Sequence, residues 1–413
     1  MSRFKISDFI DQIGDGIHGT PNYMENGEYY FINGNNLIGG EIVISGDTLR
    51  ISKEEYNRIK RPLNENTILM SINGTLGKIA MYRGEKIALG KSACYINVKQ
   101  DKNKYFVKYI LTTKEFQKYI LLVAHGSTIK NLAPSQVAEY EFDIPDGLDQ
   151  DNVAFLLKAI DDKIQNNSKI NIELESMAKT IYDYWFLQFD FPDENGRPYK
   201  SSGGKMVWNE ELKREIPINW KNGLLKDVGE IVAGGTPSTE HPEYYCKNGI
   251  AWITPNDLSN SNDKYITHGE RDISEIGLIN SSAKLMPEGT VLLTSRAPIG
   301  YIGIAINEVC TNQGFKSIVP NEKYGSEFIY YTIQKMIEYL KSLGTGSTFS
   351  EISKSVVAKV KIVLPEETIV KNFEAITSEI SSKRRILEEE NKELKSLRDF
   401  LLPLLMNGQV RFK

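Results

Sequence analysis

The second half of this chain repeats its first half at a nearly fixed offset. Gly126-Ser127-Thr128 recurs as Gly346-Ser347-Thr348, and Ile144-Pro145 as Leu364-Pro365. Ile160, Lys163, Asn171, Leu174 and Ile181 recur as Ile380, Lys383, Asn391, Leu394 and Leu401; each of these pairs is 220 positions apart. Other matches drift. Thr67 to Gly77 aligns with Thr290 to Gly300 at an offset of 223, Phe31 to Leu37 with Trp252 to Leu258 at 221, and Gly19-Thr20-Pro21 with Gly235-Thr236-Pro237 at 216. Drifting offsets in a constant order are what short loop insertions between shared elements produce. A repeat this long predicts two similar domains on one chain, and with them two similar sites.

The 413 residues suffice for two or three domains. Forty per cent hydrophobic and 25% charged residues fit an ordinary globular chain. No run of about 18 apolar residues suggests a membrane span, and the first residues carry no apolar signal region. Cys94, Cys246 and Cys310 are odd in number and far apart. They predict neither a disulfide framework nor a zinc site, and a reducing cytoplasm suits them best. A formal net charge of −4 gives no global sign of nucleic acid, so a DNA-binding surface would have to be local.

Each repeat has two parts. The first, 1–150 and 221–365, is rich in Gly, Asn, Thr and Tyr. Its short apolar runs (Ile68-Leu69-Met70, Ile79-Ala80-Met81-Tyr82, Val291-Leu292-Leu293) are bounded by turn residues and predict strands. One helix interrupts each, over about 104–123 and about 326–342. In the second part, 151–190 and 366–413, glycine and proline nearly vanish from Asn152 to about Phe189 and from Ile369 to about Met406, apart from Pro403 near the end. Ile160, Ile164, Asn167, Asn171, Leu174, Ala178, Ile181 and Trp185 follow steps of 4 and 3, and Ile380, Leu387, Leu394 and Leu401 steps of 7. That spacing predicts two long helices with apolar seams, which most simply pair with each other. Asn171 and Asn391 sit at equivalent positions in or beside the seam, either buried to fix register or facing solvent. Residues 191–220 are polar and turn-rich and predict a connector. The fold class expected is α+β: two similar mixed α/β recognition domains separated by an antiparallel coiled coil, with pseudo-two-fold symmetry.

A helix of roughly 32–38 residues spans around 50 Å, the length of about 14 base pairs. Two lobes at opposite ends of an antiparallel helix pair could therefore sit on one duplex with an untouched gap between them. An internal repeat imitates a two-fold dimer, which matches the pseudo-symmetry of duplex DNA. Unlike lobes should then read unlike half-sites. Geometry alone equally allows a protein ligand with two epitopes.

The motifs Gly234-Gly235-Thr236-Pro237-Ser238, Thr254-Pro255-Asn256-Asp257-Leu258, Gly289 to Gly300, Gly346-Ser347-Thr348 and Phe191 to Gly204 resemble those of the DNA specificity subunit of type I restriction–modification systems. The resemblance covers essentially the whole chain in the order lobe–helix–lobe–helix. It implies that each lobe is a target recognition domain reading half of a split, asymmetric sequence, and that the helices form an antiparallel spacer. It also implies that the chain is not catalytic. The implied partners are double-stranded DNA, two adenine-methylating modification subunits using S-adenosylmethionine, and restriction subunits using ATP and Mg2+. Lobe one departs from the pattern at His18-Gly19-Thr20-Pro21-Asn22 and Ile72-Asn73-Gly74-Thr75.

Base reading needs Arg for guanine and Asn or Gln for adenine, on loops that reach a groove; phosphate positioning needs Lys, Arg, hydroxyls and backbone N–H groups. In lobe two the candidates are Thr236, Ser238, Thr254, Asn256, Ser295, Arg296, Asn312, Gln313 and Lys316. In lobe one they are Thr20, Asn33, Asn35, Ser71, Asn73, Thr75, Lys78, Lys91, Ser92, Lys130 and Asn131. Ser127-Thr128 and Ser347-Thr348, each after a glycine, suit phosphate contact; the other reading is a helix C-terminal glycine followed by a capped turn. Arg296 reads equally as an ordinary surface arginine, and Thr20 and Thr236 read first as turn residues. His18, His125, His241 and His268 are scattered without ligand spacing.

Several tempting motifs fail. Gly90-Lys91-Ser92 lacks the upstream glycine of a phosphate-binding loop, because position 85 is glutamate. No Asn/Asp-Pro-Pro-Tyr/Phe tetrapeptide of adenine methyltransferases occurs, and no Gly-x-Gly-x-x-Gly follows a strand. Asp146, Asp149 and Asp151 fit the acidic start of a helix better than a metal site. Two alternatives to a specificity subunit remain: a self-contained restriction–modification enzyme and a two-headed protein adaptor.

Overall fold

The computed structural model describes residues 1–126, 129–260, 263–346 and 350–410. The chain forms two compact units, Met1–Asn167 with Glu390–Lys413, and Ser168–Glu389. Both long helices, Gln150–Tyr182 and Glu367–Met406, contribute residues to each unit.

In unit 1 the strand Ser2–Lys5 pairs antiparallel with Glu141–Ile144, which closes the two ends of the lobe against each other. The main sheet is antiparallel, in the order Ile10–Asp15, Ala93–Val98, Thr67–Ser71, Ile79–Met81. A smaller sheet holds Tyr29–Ile32 between Arg50–Ile51 and the parallel strand Ile87–Leu89. Strand side chains alternate between faces. Ile68, Met70, Ile79, Met81, Cys94 and Ile96 face one core, whereas Leu69, Ala80, Ala93 and Tyr95 face a second. With both faces covered, these strands are apolar at nearly every residue, as the sequence runs predict. The first core also takes in Phe106, Ile110 and Phe116 from the lobe's helices, Val153, Ala154 and Leu157 from the first long helix, and Leu402 and Leu405 from the second.

Unit 2 repeats this plan. Lys221–Leu224 pairs with Lys361–Leu364. The main sheet runs Gly229–Ala233, Lys316–Pro320, Val291–Ser295, Ile299–Ala305, Tyr265–Ile266. Val291, Leu293, Ile304 and Ile318 face a core shared with Ala178 and Tyr182 of the first long helix, Trp185 of the π-helical turn Asp183–Leu187 that continues it, and Val370 and Phe373 of the second; Leu292 and Ala305 face another. Residues 191–220 do more than connect. Met206–Asn209 and Arg214–Pro217 form a hairpin, and Phe191 and Trp220, with Phe189 just before the segment, join the unit's aromatic core.

The lobes differ in one helix. Where a single helix was expected over about 104–123, the chain forms Lys104–Thr112 and Lys114–Val123, divided at Thr113. Thr113 is extended (φ −61°, ψ 150°); its hydroxyl accepts from Phe116 N and donates to Ile110 O. It ends one helix and caps the next. Unit 2 keeps one helix, Ser326–Ser342.

The long helices run antiparallel within each unit: Asp161 meets Arg398 and Asn167 meets Asn391 in unit 1, and Glu175 meets Arg384 and Tyr182 meets Phe373 in unit 2. The seam asparagines are Asn167 and Asn391, both buried and 3.1 Å apart. Asn391 takes the buried alternative. Asn171, its counterpart in the repeat, lies one turn beyond Asn167, and its Oδ1 has no hydrogen-bond partner among the described residues. Partners in an antiparallel pair follow from where the helices meet, not from repeat equivalence.

Two polar locks tie the helices to the lobes. In unit 1 the buried Asp161 carboxylate accepts from Lys108 Nζ, Tyr109 OH (2.8 Å) and Arg398 Nη1 (3.0 Å). Burial raises its pKa, but the Lys108 charge and these bonds outweigh that and hold it below the usual carboxylate range. In unit 2 Glu374 accepts from Phe328 N at 2.7 Å and so caps the helix Ser326–Ser342, whose N-cap, Gly325, has no side chain. A Cβ at Gly325 would fall 2.0 Å from the Glu374 carboxyl carbon. Burial, reinforced by Glu327, outweighs the Phe328 hydrogen bond and pushes Glu374 up to about 7.

Two predictions follow from these locks. Asp161→Ala strands Lys108 beside Arg398 and should destabilise unit 1 by about 3–5 kcal/mol. All four tryptophans lie in unit 2, so in urea melts the loss of far-UV ellipticity should begin before tryptophan fluorescence changes. Glu374 holds its proton more tightly folded than unfolded, so its contribution is full below the unfolded value of 4.5 and declines as pH rises through 7. Glu374→Gln should remove that decline and stabilise unit 2 at pH 8 by about 1–3 kcal/mol, read from the fluorescence midpoint.

Candidate nucleic-acid interface

The same loop pair recurs in both units. In unit 1 the strand Thr67–Ser71 runs into a turn ending at Lys78. Ser71 is fully buried; its Oγ accepts from Lys78 N at 2.9 Å and closes the turn. In unit 2 Thr294 does the same for the turn after Val291–Ser295, accepting from Tyr301 N at 2.9 Å. A second pair of segments then docks on each turn. His125 and Asn131 exchange backbone hydrogen bonds, Leu132 N donates to Ile72 O, and Asn73 bridges to Asn131. In unit 2 Thr345 and Glu351 exchange bonds, Ile352 N donates to Ser295 O, and Arg296 bridges to Glu351.

In lobe one this assembly gathers Asn73, Lys130 and Asn131 directly. Ser92 joins them through its backbone, which accepts from Ile72 N. Its Oγ holds Gly34 N and donates to Asn33 Oδ1, both at 2.9 Å, which fixes the turn carrying the exposed Asn35. Thr75 and Lys78 are exposed in the turn itself, and Lys91 is exposed beside Ser92. Lys130 Nζ donates to Leu121 O. Among the described residues none of Lys78, Lys91 and Lys130 makes an ion pair. Thr20 is exposed three residues beyond Ile17, whose backbone bridges to Gly90, and no bond joins it to the loop pair.

Lobe two gathers a more charged set. Arg296 Nη1 lies 3.6 Å from Glu351 Oε2, and Lys316 Nζ lies 3.4 Å from Glu351 Oε1 and 3.2 Å from Ser295 Oγ. Gln313 accepts from Thr236, and Asn312 holds its own loop by accepting from Gly314 N at 2.9 Å. Thr254 donates through both N and Oγ1 to Asp257, the counterpart of the Asn33–Asn36 turn in lobe one, and leaves Asn256 exposed. Ser238 is exposed and accepts from Glu240 N.

Three expected contacts need correction. Ser71 and Ser295 are fully buried, and Lys316 is 8% exposed with its ammonium turned onto Ser295 and Glu351. Their role is to shape the loops rather than to present groups to a ligand. Ser127, Thr128, Ser347 and Thr348 lie outside the described residues. Glu351 was missed. It stands where lobe one has Asn131, so the repeat itself marks the position, but only the bridge to Arg296 shows what it opposes. Asp146 pairs with the N-terminus, Asp149 bonds Asn152 and Asp151 accepts from Asn103. Among the described residues no three His, Cys, Asp or Glu are placed to hold a metal.

Two mixed α/β lobes, each offering a loop pair of hydrogen-bonding and cationic side chains, define a two-headed recognition protein. The family described as the type I restriction modification DNA specificity domain matches residues 1–176 and 217–395, and the chain belongs to it. It is 39% identical over 215 residues to the type I restriction enzyme MjaIX specificity subunit of Methanocaldococcus jannaschii, covering 51% of this chain and 49% of that one. It is 25% identical over 358 residues to the HindI specificity subunit of Haemophilus influenzae, covering 74% and 77%. The chain thus spans about half the length of the first relative and about three quarters of the second. The fold matches the crystal structure of a type I restriction–modification S subunit from M. genitalium, with a TM-score of 0.62 at 17% identity over 98% of this chain and 96% of that one.

The turn-closing hydroxyls can be tested directly. Ser71→Ala and Thr294→Val should each cost about 1–2 kcal/mol by leaving a turn amide unpaired. Hydrogen exchange should accelerate at Lys78 in the first variant and at Tyr301 in the second, with little change in the other lobe.

Proposed function

We propose that this chain is the noncatalytic DNA-recognition subunit of a type I restriction–modification complex. Each lobe reads one half of a bipartite, asymmetric target through its loop pair. The long helices set the spacing of the half-sites and dock two adenine-methylating modification subunits, which use S-adenosylmethionine; restriction subunits using ATP and Mg2+ join the full complex. The observation that carries this reading is that Asn131 and Glu351 bridge to equivalent turns, at Asn73 and Arg296, with different side chains at the bridge. A shared framework with different side chains at the bridge suits one recognition task on two sequences. Family membership supports the DNA ligand. No helix among the described residues is long and apolar enough to cross a membrane.

Binding of the complex with its modification subunits to target duplex should weaken steeply with salt, because phosphate contacts release counterions. Methyl transfer by this chain alone, or no DNA affinity with the modification subunits present, would overturn the proposal. Adding four residues, about one helical turn, to both long helices should lengthen the tolerated gap by one or two base pairs, read by sequencing methylated products. An unchanged gap would remove the helices as the ruler.

A further inference from the structure

The bridges that dock these segments on the turns also pair side chains. Residues directly opposite in an antiparallel bridge project from the same face, with Cβ atoms about 4.5–5.5 Å apart. Asn73 therefore stands beside Asn131, and Arg296 beside Glu351, at equivalent places in the two lobes. The pairs differ in chemistry. Neither Asn73 nor Asn131 has a side-chain hydrogen bond within the protein among the described residues, so both amides are free to bond a ligand. Glu351 is held between Arg296 and the buried Lys316, which fixes its carboxylate while leaving Arg296 and Glu351 partly open, at 35% and 41%.

We propose, resting on the DNA-recognition reading above, that these two side-chain pairs are specificity determinants with opposite base preferences. The amide pair of lobe one reads an A·T base pair and the Arg296–Glu351 pair of lobe two reads a G·C base pair. An asparagine amide both accepts from adenine N6 and donates to N7. An arginine donates to guanine O6 and N7, and a carboxylate accepts from cytosine N4. Arg296 with Glu351 thus matches both bases of a G·C pair, donor to acceptor and acceptor to donor. The same carboxylate repels acceptor edges, so it rejects a pair that turns an acceptor toward it. Lys316 acts as a positioning residue: it cannot reach a base from its buried site, but it keeps Glu351 from closing fully on Arg296.

The test co-expresses the chain with its modification subunits and sequences the methylated sites in a randomised duplex library. For the unaltered chain, the half-site read by lobe two contains a G·C pair whose preference the Arg296→Asn/Glu351→Asn double variant abolishes or turns toward A·T. Methylation of the original site falls about ten- to hundredfold, and the half read by lobe one is unchanged. Asn73→Ser independently relaxes one A·T position in the other half, so a folding failure in lobe two leaves the second arm intact. Unaltered motifs in folded variants, or relaxation spread evenly over a half-site, would overturn the pair assignment while leaving the recognition role standing. A methylated motif without two separated halves would instead remove the recognition reading itself.

Discussion

Neither lobe completes a core without the long helices. In unit 1 the main core includes Val153, Ala154 and Leu157 from one helix and Leu402 and Leu405 from the other; in unit 2 it includes Ala178, Tyr182, Val370 and Phe373. Burial of such side chains is the dominant favourable term in folding, at about 1.5–3 kcal/mol for a large aliphatic or aromatic residue. It follows that each lobe has a fixed seat on the helices within its own unit. Asp161 and Glu374 add directional polar bonds to that seat. The loops are held at one remove: the helices hold the sheet, and buried Ser71 and Thr294 at the strand ends hold the turns.

Much of this was legible in the sequence because it rests on local periodicity and on repetition. The apolar runs of the main sheets, the long heptad-like stripes and the order of elements all leave marks in composition. What stayed hidden depends on partners distant in sequence. Thr113 interrupts a helix that reads as continuous, because one side chain can end a turn and begin another. Asn391 meets Asn167 rather than its repeat counterpart, and no spacing within either helix announces that. The capping of one helix by Glu374, nearly fifty residues away, has no local signature at all.

The candidate interface was legible in outline and opaque in detail. The motif positions Asn73, Lys130 and Asn131 come together at the loop pair of lobe one, and Arg296 lies at the loop pair of lobe two. Residue type alone could not separate groups that point outward from those that build the loop. Ser295 and Lys316 have ligand-binding chemistry, yet both are consumed internally. Glu351 looks unpromising beside a polyanion until its placement against Arg296 and Lys316 shows a charge already balanced before any ligand arrives.

The division of the chain at 167/168 and 389/390, inside the helices rather than at the lobe edges, bears on how such proteins could be recombined. A crossover at the lobe border would separate a sheet from the helical residues that complete its interior and leave cavities on both sides of the joint. A pair of crossovers placed mid-helix, at 167/168 and 389/390, exchanges a lobe with its matching rod segments as a self-consistent module. New combinations of lobes would then arise by trading intact modules, with the buried Asn167–Asn391 bond as a local requirement on whatever is spliced beside it.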